Sequence, residues 1–361
     1  GHLLYKFMDP FTSPKNVAFF ITPNERGTAV AVYDYAHFNE TLLGNQSYVF
    51  MPITAINHPA AERFKQRFEV ITYEDDASIT ALLKVKKIQV CYQLIHGRQA
   101  LGHPTYFVPN GCRQAVHCVF STKEPCGDVH ASISNFLNKK CGTDCPVVPH
   151  MIHLPDVEGD LRLELNIPPE ATVFGRYGGR DTFSVQLAHK VIPELVANDP
   201  KVYFIFMNTE PFCEPHPQVI HLPASFDLEE KVRFINTCDA MLHARRDGET
   251  FGIAVGEFSI KNKPIITFAP PESGWKRCKY LIAQSFKSVT KTGQRLPKRT
   301  STEHINILGD KSLVYCSRKE LKSLIQNLNP ATLQVNNWDA YSESYSPDPV
   351  MRRFDQVFLQ G

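Results

Sequence analysis

His243-Ala244-Arg245-Arg246-Asp247-Gly248-Glu249-Thr250-Phe251-Gly252-Ile253-Ala254-Val255-Gly256-Glu257 is the most informative run in this chain. The strand-like Ala240–His243 leads into it, a polar loop follows, and a helical pattern opens at Gly252 and continues to Ile260. Strand, loop and helix in that order belong to a βαβ unit, and open parallel sheets place ligands beyond the carboxyl ends of their strands. The free N–H groups of the helix's first turn then face the ligand side, where donors and dipole together favour phosphate or sugar oxygens. Glu249 stands before that turn and can accept from sugar hydroxyls. Glu257, eight residues on, would reach the far side of the same ligand. The plain alternative is an acid that complements the helix dipole and a solvated glutamate further along the helix.

The same rhythm extends on both sides of this run. Upstream lie Ala171-Thr172-Val173-Phe174-Gly175, a helix near Val185–Ala197, the strand Val202–Met207 and a helix over Leu228–Asn236. Downstream come the strand Pro264–Phe268, strands near Ile305–Leu308 and Ser312–Tyr315, and a helix over Arg318–Leu328. A first segment, from about residue 15 to 155, repeats the pattern. It opens with the strand Asn16–Ile21 and a polar turn to Gly27, then a helix over Thr28–Leu43 that ends at Gly44. Strands are expected at Ser47–Met51, Glu69–Tyr73, Ile88–Leu94, Ala115–Phe120 and Pro146–Ile152, with helical spacers Ala60–Phe68, Ser78–Lys86 and Val129–Leu137. A charged, proline-containing link, Pro155–Asp160 and Ile167-Pro168-Pro169, separates the two segments. The reading is an α/β chain of two Rossmann-like, doubly wound domains facing a central cleft, 1–155 and 156–345. An amphipathic terminal helix in 346–361 is then suited to pack back on the first domain.

Composition narrows the classes. With 361 residues, 43% hydrophobic and 21% charged, the chain has apolar material for two medium domains and none of the bias of fibrous or disordered sequences. A net charge of +2 gives no electrostatic case for nucleic acid. No uninterrupted apolar stretch reaches the roughly 18 residues a membrane-spanning helix needs. Gly1–Lys6 lacks the basic region and apolar core of a signal peptide, so a cytoplasmic protein with ten reduced cysteines is expected. Cys112, Cys118, Cys126, Cys141 and Cys145 cluster, but their gaps do not repeat as paired metal-ligand spacings do, so no metal is expected. Trp275–Arg299 carries eight positive charges and no acid; it reads either as a contact for an anionic acceptor or lipid phosphate, or as a solvated loop.

Glu249-x-Phe251-Gly252-x4-Glu257 resembles the Glu-x7-Glu motif of retaining GT-B glycosyltransferases, especially glycosyltransferase family four. Its neighbours keep the family's order. Cys238-Asp239-Ala240-Met241 is similar to the strand before the motif, Asn262-Lys263-Pro264-Ile265-Ile266 to the strand after it, and Leu161-Arg162-x2-Leu165 with Val173-Phe174-Gly175-Arg176 to the opening of the donor domain. The resemblance covers about residues 115–330, and the first third only in architecture. It implies a GT-B fold with an acceptor-side first domain and a donor-binding second domain. It also implies transfer from a nucleotide-diphosphate sugar to a saccharide or glycan acceptor, with retention of anomeric configuration and without a metal or other cofactor.

Residue by residue, the resemblance implies that Arg176, after Gly175, contacts the donor diphosphate, as a planar guanidinium can do bidentately. A surface or salt-bridging arginine is the plain alternative. The family's partner lysine, five residues on, is replaced by Asp181, so Arg180, Arg245 or Arg246 would take its place. Glu249 would contact the donor sugar, the backbone of Thr250, Phe251, Gly252 and Ile253 the sugar and phosphates, and Glu257 the ribose. His117, after Gln114-Ala115-Val116, matches the family's cleft-facing histidine; otherwise it reads as a hydrogen-bonded structural residue. His150 has no assigned role. The turn holding Arg26, Gly27 and Thr28 resembles the loop that reaches over the donor or admits the acceptor, with Thr28 equally readable as a helix cap. Tyr33 and His37, one turn apart, face either the cleft or solvent. The same fold also hosts nucleotide-sugar epimerases, and a non-catalytic nucleotide- or glycan-binding protein would keep the fold without turnover.

Overall fold

Short runs of β-branched and aromatic residues, buried on both faces, build two parallel sheets. The computed structural model describes residues 13–23, 27–98, 101, 106–270 and 300–360. It divides into two compact units, Gly1–His153 with Ser342–Gly361, and Leu154–Tyr341.

In the first unit the strands are β1 (Asn16–Phe20), β2 (Gln46–Pro52), β3 (Glu69–Tyr73), β4 (Val90–Ile95), β5 (Arg113–Cys118) and β6 (Val129–Ser132). They run parallel in the order β3-β2-β1-β4-β5-β6. The helices are α1 (Gly27–Thr41), α2 (Pro59–Arg67), α3 (Asp76–Val85) and α4 (Asn135–Cys141). Local chemistry sets their starts: Asp75 accepts from the Ser78 N–H at 2.8 Å, and Ser134 Oγ accepts from the Leu137 N–H at 3.1 Å. The helix Pro347–Phe354 belongs to this unit. Its Phe354 ring lies 5.0 Å from that of Tyr35 and 5.2 Å from that of Tyr92, and Lys15 Nζ donates to the Leu359 carbonyl just beyond it at 2.7 Å.

The second unit holds β7 (Thr172–Tyr177), β8 (Val202–Met207), β9 (Val219–Leu222), β10 (Ala240–His243), β11 (Gly248–Glu249), β12 (Ile265–Phe268), β13 (Ser301–Thr302) and β14 (Ser312–Tyr315). Six of them form a parallel sheet, β14-β12-β10-β7-β8-β9, while β11 and β13 pair as a separate ribbon. Its helices include α5 (Gln186–Asn198), α6 (Leu228–Thr237) and α7 (Ile253–Ile260). In each sheet the first strand lies in the middle and the winding reverses beside it, at β1/β4 and β7/β10. Those are the switch points where such sheets hold ligands.

Three sequence expectations fail locally. Val129–Leu137, expected as a helix, contains β6, which pairs in parallel with β5, and a helix starts only after Ser134. Pro146–Ile152, expected as a strand, makes a single bridge at Val147, because Pro146 and Pro149 lack the donors a ladder requires. Ile305–Leu308, expected as a strand, lies in the helix Glu303–Leu308, which buries His304 and Leu308 one turn apart. The short β9 was not expected; only Val219 of its four residues is buried.

Candidate functional site

Arg176 lies in β7, Thr209 just after β8, His243 at the end of β10 and Thr267 in β12. These strands are neighbours, so the four residues line up at the carboxyl ends of the second sheet, across the β7/β10 switch point.

Arg176 is 4% exposed. Its Nη1 donates to Thr209 Oγ1 at 2.7 Å, and Nη2 donates to the Gly179 carbonyl at 2.9 Å and to Thr182 Oγ1. All three acceptors are neutral, and among the described residues Arg176 makes no ion pair. Burial lowers the guanidinium to about 10; the nearby Glu249 charge raises it and Arg245 lowers it further. A Cβ on Gly178 would stand 2.7 Å from Arg176 Nη2, so the turn lies close against the guanidinium. Gly175, by contrast, packs inside the sheet. A Cβ there would meet Cys238 Sγ at 2.1 Å, which makes this glycine a requirement of core packing rather than of ligand approach.

The ribbon fixes Glu249. Gly248 has φ +66°, and a Cβ on it would meet the Ser301 carbonyl oxygen at 1.7 Å, so only glycine lets β11 lie against β13. Glu249 Oε1 accepts from His243 Nε2–H at 3.1 Å, and Oε2 accepts from Arg245 Nη1 at 2.8 Å. Burial alone would raise this carboxyl; the Arg245 charge and the His243 hydrogen bond outweigh it and hold the group at about 2. Gly252, with φ +84°, then turns the chain into α7, whose N-terminus no side chain caps. Ile253 and Ala254 in its first turn are only partly buried. Thr250 and Phe251 are buried, and the Phe251 carbonyl accepts from the Tyr341 hydroxyl at 2.8 Å.

Two expected site residues are engaged elsewhere. Glu257 is 2% exposed: its Oε1 and Oε2 lie 3.3 and 3.5 Å from Lys231 Nζ, and the Tyr177 hydroxyl donates to Oε2. It is half of a buried ion pair between α7 and α6. His117 is fully buried in β5, with Tyr92 Oη 2.8 Å from Nδ1 and the Val148 carbonyl 2.7 Å from Nε2. Because a carbonyl only accepts, Nε2 donates to Val148 and Nδ1 accepts from Tyr92. Burial lowers this imidazole to about 4, so it stays neutral at ordinary pH. Both ring nitrogens thus have partners within the first unit.

Of the cations named for the missing lysine, Arg245 is in the site. Arg180 is exposed, its Nε 3.6 Å from Glu210 Oε1, and Arg246 lies with Asp247 at 3.8 Å. Helix α1 starts at Gly27, which puts Thr28 in the first turn rather than at the cap. Arg26 and Trp275–Arg299 lie outside the described residues. Tyr33 and His37 face α2: the Arg63 guanidinium sits 3.5 Å above the Tyr33 ring, and Arg67 Nε donates to His37 Nδ1 at 3.1 Å. Thr209, Thr182, Thr267, His304 and Lys231 enter the picture only through the structure. None sits in a motif, and small hydroxyls and a buried lysine carry no periodic signal. Among the described residues no group of three or more His, Cys, Asp or Glu is placed to hold a metal, and no helix is long and apolar enough to cross a membrane.

Fold and switch point define a two-domain Rossmann-like α/β protein. No family model matches the chain, and no curated protein matches it in sequence. Solved structures do resemble it. A glycosyltransferase from Rickettsia africae ESF-5 superposes with a TM-score of 0.62 at 9% identity, covering 96% of this chain and 98% of that one. Anabaena Alr3699/HepE in complex with UDP-glucose gives 0.59 at 11% identity, covering 95% and 99%. Acinetobacter baumannii MurG gives 0.52 at 10% identity, covering 95% and 99%. At such identities the likeness is one of fold, the GT-B type with two Rossmann-like domains in one chain.

Proposed function

We propose that this chain is a glycosyltransferase that moves a sugar from a nucleotide-diphosphate sugar to a saccharide or glycan acceptor, with retention of anomeric configuration and without a metal. Arg176 carries the reading. A buried guanidinium whose acceptors are all neutral is costly, and a diphosphate beside it relieves that cost. The uncapped start of α7 supplies further donors to the same anion. Negative charge that develops on the departing diphosphate would meet donors already in place, where preorganisation lowers a barrier most. Glu249, ionised at neutral pH, has lone pairs left to accept from hydroxyls of the donor sugar. The resemblance to glycosyltransferase family four supports retention, with the leaving phosphate taking the acceptor proton. The UDP-glucose named with the Anabaena protein supports a nucleotide-sugar donor. Free thiols at the described cysteines suit a reducing, cytoplasmic setting.

The test is a thermal-shift panel of nucleoside diphosphates and nucleotide-sugars, followed by turnover of the best stabiliser with and without saccharide acceptors. A selective shift that Arg176→Ala abolishes, with transfer or slow donor hydrolysis, supports the proposal. An isomerised sugar nucleotide formed without acceptor would make the chain an epimerase, and binding without turnover a non-catalytic module.

A further inference from the structure

We propose that Thr267 and His304 are positioning residues for Glu249, acting through His243 in a buried hydrogen-bond relay that fixes the carboxylate toward the donor sugar. This rests on the reading of Glu249 as the sugar contact. The relay itself stands on geometry: His243 Nε2 is 3.1 Å from Glu249 Oε1, His243 Nδ1 is 2.8 Å from Thr267 Oγ1, and Thr267 Oγ1 is 2.9 Å from His304 Nε2. Thr267 and His304 are fully buried and His243 is 4% exposed, so water does not compete along the chain.

The charge on Glu249 fixes the first proton, and the relay is ordered from there. An ionised carboxylate only accepts, so His243 carries its proton on Nε2. On a neutral ring Nδ1 is then an acceptor, and the Thr267 hydroxyl is the donor beside it. Having given its one proton to His243, Thr267 Oγ1 accepts from His304 Nε2–H. Burial lowers His304 to about 3, so that ring holds a single proton; the contact with the Thr267 oxygen is what places it on Nε2. The Thr267 hydroxyl is the hinge of this order. Without it, nothing in the relay favours the His243 tautomer that donates to Glu249, and the carboxylate keeps only Arg245 on Oε2. His304 also braces the start of α7, since a Cβ on Gly252 would lie 3.2 Å from His304 Cβ. The relay thereby ties the carboxylate and the helix end into one rigid piece, the support that a functional group needs behind it.

Thr267→Val keeps the shape and removes the hydroxyl; Thr267→Ser keeps the hydroxyl. For Thr267→Val we expect kcat for donor turnover to fall about 10-fold with uridine diphosphate affinity unchanged, and Thr267→Ser to restore it. Ring-nitrogen NMR of histidine-labelled protein should show both His243 and His304 protonated on Nε2 in the parent, and the His243 pattern altered in Thr267→Val. A parent His243 protonated on Nδ1, or a Thr267→Val protein that loses melting temperature alone while kcat holds, overturns the relay. If the parent binds no nucleotide and turns over no donor, the proposed function fails instead, and the ring-nitrogen spectra still decide the relay.

Discussion

The two sheets wind in the same order, yet the polar groups at their strand ends are treated in opposite ways. In the first unit these groups close on one another: His117 is held between Tyr92 and the Val148 carbonyl, and the Tyr35 hydroxyl donates to the Pro149 carbonyl at 2.6 Å. In the second, the acceptors Arg176 finds among the described residues are neutral, Glu249 is kept ionised, and no side chain among them caps α7. Topology brings polar residues to the same place twice. The loops decide whether their hydrogen-bonding capacity is used up inside or left for a ligand.

The largest effect should come from a charge in the second unit that is already satisfied. Lys231→Met leaves Glu257 as a buried carboxylate without its cation, and should cost about 3–5 kcal/mol in urea unfolding. Lys231→Met with Glu257→Gln should recover most of it. A single variant that stays fully stable but loses nucleotide affinity would move Glu257 to the ligand side and break the distinction drawn here.

Arg176→Met and His117→Phe sharpen the contrast between the units. The first should lower donor turnover by about 10²–10³-fold while melting temperature holds or rises, because a buried cation that makes no ion pair among the described residues is removed. The second should leave turnover intact and cost about 1–3 kcal/mol, because the Tyr92 hydroxyl and the Val148 carbonyl lose their partner. Turnover lost in His117→Phe at unchanged stability would return that residue to the site.

Acid titration gives a third comparison. Glu249 titrates near 2 in the folded chain against 4.5 in the unfolded one, so its contribution is complete above about pH 4.5 and is lost as the pH falls toward 2. The shift is worth about 3 kcal/mol, and Glu249→Gln should flatten that acid limb in a pH series of denaturant melts. An unchanged limb would mean that Arg245 and His243 do not hold the carboxylate as the structure has it. The smallest effect belongs to Arg180→Ala: exposed and paired with Glu210, it should change stability by less than about 0.5 kcal/mol and turnover less than about twofold. A large loss of turnover would make it the missing diphosphate cation.

Continuous apolar runs were legible because burial on both faces leaves an unbroken signal; Val202–Met207 and Ala240–His243 fall where the pattern puts them. Short elements were not. Val129–Ser132 and Glu303–Leu308 are each shorter than two turns of a helix, too short to separate a period of two from 3.6. In the site, Arg176, Arg245, Glu249 and Gly252 stand out by motif and turn chemistry. Their supports do not, because Thr209, Thr182, Thr267 and His304 are distant in sequence and ordinary in type.

By itself, the sequence determined two doubly wound domains and a polar loop before the helix that opens at Gly252, since periodicity and turn chemistry act locally. Only the tertiary structure decided which charges are spent and which are left over. Glu257 and Glu249 are the same residue type in one motif, yet one lies against Lys231 and the other against Arg245 and His243. A carboxylate's role follows from the charges and donors that folding places around it, and those come from strands far apart in the chain.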